Sequence, residues 1–293
     1  MSREVNNIAN EIDAIIARAM AEYSAAKGVD AFGDNYNSEP EPEPEHQEIP
    51  VNSNSILVSS TTSRFSSAVW YENIQSKTVT LAGLGGIGSY VAFLLSRMHP
   101  STLILYDDDV VESANMSGQL YGREEIGLTK VAATRRNIEN LSEYYSATTF
   151  AEKFTRDSEA TDIMICGFDS MEARKTFFSK WKESVLGLPE SERGKCLFID
   201  GRLAAESLQI FCIKGDDSFN MNKYEDKYLF SDYEADETIC SYKQTSFMAN
   251  MIASLMVNLF VNFCANEENP LIPRDLPFYT EYTAETMYFK VVA

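Results

Sequence analysis

The stretch TVTLAGLGGIGSYVAFLLSRMH, residues 78–99, decides how this chain is read. A β-branched apolar run, 78–83, meets the turn Gly83-Leu-Gly85-Gly86-Ile-Gly88-Ser89, and the turn opens an apolar helix predicted over 88–98. Glycines let the backbone turn tightly and approach a phosphate closely. The helix N-terminus adds unpaired N–H groups and the positive end of its dipole. The next apolar run, TLILYDDDVV, ends in Asp107, 19 residues past Gly88, where an acid can bond a ribose hydroxyl. Strand, turn, helix and acid together point to a nucleotide. They leave open whether it is a cofactor that is kept or a reagent that is consumed.

Outward from this stretch, apolar runs at 78–83, 102–106, 162–167 and 196–200 alternate with helical patterns at 88–98, 127–141 and 171–182. That alternation predicts an α/β domain whose open, mainly parallel sheet is joined by crossover helices. PFYTEYTAETMYFKVV, residues 277–292, alternates and adds a few late antiparallel strands. Residues 184–195 read as a surface loop and 214–238 as a long polar and aromatic insertion. The apolar run at 246–265 is long enough for a membrane span, but Asn250, Asn258 and Asn262 interrupt it and no basic residues flank it. It reads as a buried core helix, so no membrane partner is expected.

Ahead of this domain, Ile8, Ile12, Ile15, Ile16 and Met20 share a helical stripe within residues 1–28. Residues 29–55 carry Glu-Pro repeats that suit a disordered acidic linker, which leaves 56–293 as the nucleotide-binding domain. The 293 residues carry a formal net charge of −19, which disfavours nucleic acid and favours a basic protein or peptide partner, or plain solubility. Five widely spaced cysteines and two histidines supply no zinc site and suit a reducing compartment. With no basic-then-apolar leader in view, a cytoplasmic location is expected.

The discrimination between cofactor and reagent comes after Asp107. The polar stretch DDDVVESANMSGQLYGREEIGLTKVAA ends in Gly127-x-x-Lys130, which opens a helix. Further on, TDIMICGFDSMEAR is a strand ending at Asp169 with a helix behind it. In an open parallel sheet the C-terminal strand ends line the ligand crevice, so Asp107, Lys130 and Asp169 converge. Two carboxylates and a lysine around a triphosphate suit metal–phosphate chemistry. Blander roles exist for each: a strand-end turn for Asp107, an exposed helix lysine for Lys130, a helix cap for Asp169 and a loop turn for Asn115.

The set GLGGIGS, DDDVVESANMSGQ, GLTK and DSMEAR resembles the ThiF/MoeB/HesA superfamily, the nucleotide-binding domain shared with ubiquitin-activating enzymes, over about residues 64–265. The resemblance implies a Rossmann-like adenylyltransferase that uses ATP and magnesium on the C-terminal carboxylate of a ubiquitin-fold or sulfur-carrier-like protein or a peptide. It implies that Gly83, Gly85, Gly86 and Gly88 cradle phosphates and that Asp107 and Asp109 stand on the nucleotide side. It also implies that Asn115, Gln119 and Lys130 contact the nucleotide, that Asp169 holds magnesium and that the enzyme is a homodimer.

The chain departs from the family pattern in two places. Gly118 stands where the family has an arginine; Arg64, Arg202 and Arg123 are the substitutes considered, with Arg64 favoured because the family donates such a residue across the dimer. Paired zinc-binding cysteines are also missing. Cys240, at the end of a crossover loop of about 214–240, is a candidate thioester nucleophile, while Asp236 and Glu237 nearby oppose its thiolate. Cys166, Cys196 and Cys212 lie in apolar strand patterns and read as core. Two other readings stay open: an inactive adaptor subunit, which Gly118 favours, and an NAD-binding oxidoreductase, which Lys130 and Asp169 disfavour.

Overall fold

The computed structural model describes residues 60–230 and 244–292, all within the compact unit Ile56–Ala293. The predicted N-terminal helix and acidic linker, and Cys240 with its flanks, lie outside the described residues.

One eight-stranded sheet organises the domain. Its strands are β1 (Thr78–Ala82), β2 (Thr102–Tyr106), β3 (Ala147–Phe150), β4 (Ile163–Cys166), β5 (Leu197–Ala204), β6 (Ser207–Lys214), β7 (Tyr279–Thr283) and β8 (Tyr288–Val292). The spatial order is β3-β2-β1-β4-β5-β6-β7-β8. Pairing is parallel from β3 through β5 and antiparallel from β5 through β8. The expected α/β architecture with late antiparallel strands is therefore present.

The helices are α1 (Tyr71–Ser76), α2 (Gly86–Ser96), α3 (Lys130–Ser142), α4 (Met171–Gly187), α5 (Glu190–Arg193), α6 (Ser218–Tyr228) and α7 (Ser246–Glu268). They cover both faces of the sheet. On one face Leu81, Leu105, Ile165 and Ile199 pack with Val91 and Leu95 of α2 and with Ile252, Met256 and Phe260 of α7. On the other, Met164, Cys166 and Phe198 pack with Phe177, Phe178 and Trp181 of α4 and Tyr224 of α6. Strand residues alternate between the two clusters because successive side chains point to opposite faces. The apolar run at 246–265 sits in this core as α7, with Met248, Ile252, Met256 and Phe260 fully buried.

Four differences from the sequence reading have physical reasons. The segment 214–238 is not irregular throughout: Asp217 Oδ1 accepts the Asn220 N–H at 3.0 Å and starts α6. The segment 184–195 is not one loop, since α4 continues to Gly187 and α5 follows Pro189. β5 runs past residue 200 to Ala204, so Arg202 lies inside a strand rather than beyond its end. β6 returns through Ala205, whose φ of 53° is left-handed without a glycine to announce the turn.

Candidate active site

The sheet places its site through chain order. β1 feeds β2 on one side, and the chain later crosses β1 to lay down β4 on its other side. The ends of β1 and β4 thus form the point where the winding direction reverses, and ligands of open α/β sheets lie there. The glycine turn follows β1 and Asp169 follows β4. Both line one cavity of about 1370 Å³.

The turn is built to close tolerances. Gly83 has φ 82°, which favours glycine, and its N–H donates to Tyr106 O at 3.0 Å. A Cβ on Gly88 would stand 1.8 Å from the Gly83 carbonyl oxygen, so the start of α2 presses onto the end of β1. The first turn of α2 directs backbone N–H groups at the cavity, which Gly83, Gly85, Gly86 and Ile87 line. Gly88 stands behind that surface as the contact that keeps helix and strand together.

Asp107 is 8% exposed at the end of β2. Its Oδ2 accepts the Leu84 N–H at 2.6 Å and its Oδ1 the Asp109 N–H at 2.9 Å. It therefore fastens the glycine turn to the following loop as well as facing the cavity. Burial raises its carboxyl above the ordinary 3.8, and Lys130 and the two backbone donors pull it back. The loop folds onto itself. Val111 N–H donates to Leu128 O at 2.8 Å, Lys130 N–H to Asp109 O at 2.9 Å, and Tyr121 O–H to Leu84 O at 2.7 Å. Lys130 is thereby delivered to the cavity at the start of α3, which Thr129 caps. Its Nζ donates to Asp109 Oδ2 at 2.7 Å and lies 4.0 Å from Asp107 Oδ1. It is 7% exposed, so the ordinary exposed-lysine role is ruled out.

Asp169 lines the cavity and is exposed. The cap of α4 is Ser170, whose Oγ accepts the Ala173 N–H at 3.3 Å. The Asp169 carboxylate is thus not used as the cap, and it makes no hydrogen bond or ion pair among the described residues. Gln119 also lines the cavity, with its side-chain carbonyl oxygen buried and unpartnered. Asn115 does not: its Oδ1 accepts the Glu112 N–H at 2.8 Å within the loop.

The missing loop arginine has a steric counterpart. A Cβ on Gly118 would lie 2.9 Å from Gln244 Cγ, and the Gln244 side chain also lies against Gly86. Gln244 occupies the space an arginine at 118 would enter. Of the three arginines weighed as substitutes, Arg202 alone lines the cavity; Arg64 and Arg123 are exposed away from it.

One cluster was missed by sequence reasoning. Asp200, fully buried on β5, accepts from Arg174 of α4, from Arg202 Nε at 2.7 Å and from Tyr224 O–H at 2.8 Å. Arg174 also donates to Phe168 O and, at 3.1 Å, to Gly201 O. This ties the segment carrying Asp169 to β5. The four described cysteines are buried; desolvation pushes the Cys196, Cys212 and Cys264 thiols up to about 12 and Cys166 further still. None serves as a ready nucleophile.

Among the described residues no three His, Cys, Asp or Glu side chains gather into a metal cluster. A divalent ion suits the site only as a partner of Asp169 and of a nucleotide's own phosphates, an arrangement magnesium accepts.

Comparisons with known proteins agree with this geometry. The ThiF family matches residues 58–292. Ubiquitin-like modifier-activating enzyme 5 of Drosophila persimilis is 33% identical over 138 residues, covering 41% of this chain and 36% of that protein. The Caenorhabditis elegans enzyme of the same name is 47% identical over 68 residues, covering 23% and 16%. The chain thus spans about a third or less of the length of these curated relatives. Among solved structures, PaaA superposes with a TM-score of 0.58 at 18% identity, covering 76% of this chain and 65% of that chain. Escherichia coli MccB with ATP gives 0.57 at 15%, with the same coverage. With the glycine turn, Lys130 and Asp169 gathered at the strand ends and the match running through all of the described residues, the chain belongs to the ThiF family.

Proposed function

We propose that this chain is an ATP-dependent adenylyltransferase acting on the C-terminal carboxylate of a small ubiquitin-fold or sulfur-carrier-like protein, or of a peptide. The carrying observation is the meeting of the glycine turn, Asp107, Lys130 and Asp169 in one cavity at the β1–β4 switch point. The relatives named ubiquitin-like modifier-activating enzyme 5 support the protein partner. MccB, solved with ATP and, separately, with N-formylated MccA, supports the nucleotide and a second substrate class.

In this reading Asp107 holds the ribose, and the N–H groups of α2 and the Lys130 ammonium take the phosphates. The substrate carboxylate oxygen attacks the α-phosphorus, the bond to the β-phosphate oxygen breaks, and pyrophosphate leaves. Backbone donors and Lys130, fixed in advance in a partly dry cavity, stabilise the charge that builds on the phosphoryl oxygens. Asp169 would hold magnesium, which neutralises phosphate charge. Cys240 is the proposed acceptor of the acyl group: its thiolate would attack the adenylate carbonyl, expel AMP and leave a thioester. Gln244 lines the cavity, and four residues of chain reach at most ~14 Å from it. Arg64, exposed and away from its own cavity, fits a role in the site of a second copy.

Thermal unfolding with Mg-ATP, AMP or NAD tests this reading, because a ligand that binds only the folded state raises the melting temperature. Mg-ATP is expected to stabilise the wild type and to do so less in Asp169→Ala. Stabilisation by NAD alone would make the protein a redox enzyme instead. A second reading, an inactive adaptor subunit, draws on Gly118 and the Gln244 side chain packed against it. ATP–pyrophosphate exchange driven by a ubiquitin-fold partner would exclude it.

A further inference from the structure

Among the described residues the cluster around Asp200 does not balance its charge. Arg174 is 5% exposed, Asp200 0% and the Arg202 side chain 13%. Two guanidinium groups share one carboxylate, and burial keeps the Tyr224 hydroxyl protonated, so the cluster carries one surplus positive charge. A nearly dry charge without a counter-charge is costly. Arg174 directs its donors inward, to Asp200, Phe168 O and Gly201 O. Arg202 is placed differently. Its Nε bonds Asp200 and its Nη2 bonds the Tyr224 hydroxyl at 3.3 Å, while its Nη1 has no partner among the described residues. The guanidinium lies 4.7 Å from the Phe211 ring centroid and 5.6 Å from that of Tyr224, which together with Asp200 fix its plane. It lines the cavity beside Ser207 and Gln209 of β6.

Strand order separates this group from the ribose end of the nucleotide. Asp107, the glycine turn and Asp169 follow the ends of β2, β1 and β4, and Arg202 lies in β5; these four strands are adjacent in that order across the sheet. Arg202 therefore stands three strand spacings from β2, about 14 Å, on the side away from the ribose. The cavity, about 1370 Å³, exceeds the roughly 300–1,000 Å³ of a single small-molecule site.

We propose that Arg202 docks a second carboxylate of the acyl substrate, an acidic side chain within one or two residues of the C-terminus being activated. This deepens the adenylation reading and rests on it for the identity of the reacting end. One strand spacing of about 4.8 Å separates β4 from β5, and a residue of extended chain spans about 3.4 Å, which sets the distance of one or two residues. A fixed guanidinium whose Nη1 has no partner among the described residues matches a carboxylate and discriminates against its amide.

Calorimetric titration of N-acetyl-Glu-Gly and N-acetyl-Gln-Gly tests the proposal, on the full chain with and without Mg-α,β-methylene-ATP. The Glu peptide is expected to bind about tenfold tighter, the worth of one hydrogen-bonded charge. The preference should vanish in Arg202→Gln and persist in part in Arg202→Lys, a variant that keeps the charge should the first fail to fold. Equal affinity of the two peptides, no binding of either, or a preference that survives Arg202→Gln overturns it. Failure of the ATP analogue to bind would strike the adenylation reading separately, since the peptides are also compared without nucleotide.

Discussion

Lys130 carries its charge into a nearly dry site, and its neighbours decide what its loss would do. Asp107 is already held above its ordinary carboxyl value by burial, with Lys130 pulling it down. A carboxyl raised in the folded state contributes stability that is present below its unfolded value, near 3.8, and is lost as pH rises through the folded value. In Lys130→Met that folded value climbs further. The variant should therefore unfold close to wild type at pH 4 and about 2 kcal/mol more easily at pH 7, read from urea unfolding at both; an equal deficit at the two would deny the coupling. Its Mg-ATP stabilisation should disappear. Gly118→Arg should cost about 1–3 kcal/mol by overpacking against Gln244. Adding Gln244→Ala should recover most of that, a coupling a double-mutant cycle measures. Asp107, Lys130 and Asp169 were legible in the sequence because each stands at a fixed offset from a strand end or a glycine. Asp200, Arg174 and Tyr224 were not, although Arg174 lies in a quoted motif: their partnership exists only after α4 and α6 pack on β5. Asn115 shows the opposite limit, since a position within a motif did not bring its side chain to the cavity.

Elements report the same division. β1, the glycine turn and α2 form one piece, and Gly88 is where helix and strand touch. The atom a Gly88 Cβ would meet is the backbone oxygen of Gly83, which has no rotamer to change. Gly88→Ala should therefore cost about 3 kcal/mol, at the upper end of overpacking, and abolish the Mg-ATP shift. An unchanged unfolding midpoint would show that the turn adapts. Four strands of the parallel half, β1, β2, β4 and β5, were readable from runs of apolar residues between helical patterns; β3, the edge strand ATTF at Ala147–Phe150, was not, because it is short, half exposed and carries two threonines. α6 was harder: Met221, Tyr224 and Tyr228 hold helical spacing, but acidic and amide residues between them mask it. The β5–β6 hairpin was hidden for another reason. Its turn uses Ala205 and Glu206, neither of which marks a turn by composition.

For the molecule as a whole, the proposed homodimer makes a prediction that no single copy can satisfy. If Arg64 serves the neighbouring site, Arg64→Ala and Asp169→Ala proteins should each be inactive in ATP–pyrophosphate exchange, and mixing them should restore part of the activity. Mixed protein that stays inactive would remove Arg64 from the mechanism. The sheet itself is divided at β5, whose one edge runs parallel to β4 and whose other edge runs antiparallel to β6. Everything that touches a nucleotide in the proposed mechanism, save the acyl-carrying Cys240, hangs from the parallel side. Ser207, Gln209 and the turn at Ala205 hang from the other. A hairpin can be lengthened, shortened or recoloured without re-threading a crossover helix, so the seam lets descendants of this scaffold inherit one chemical reaction while exchanging the molecule on which it is performed.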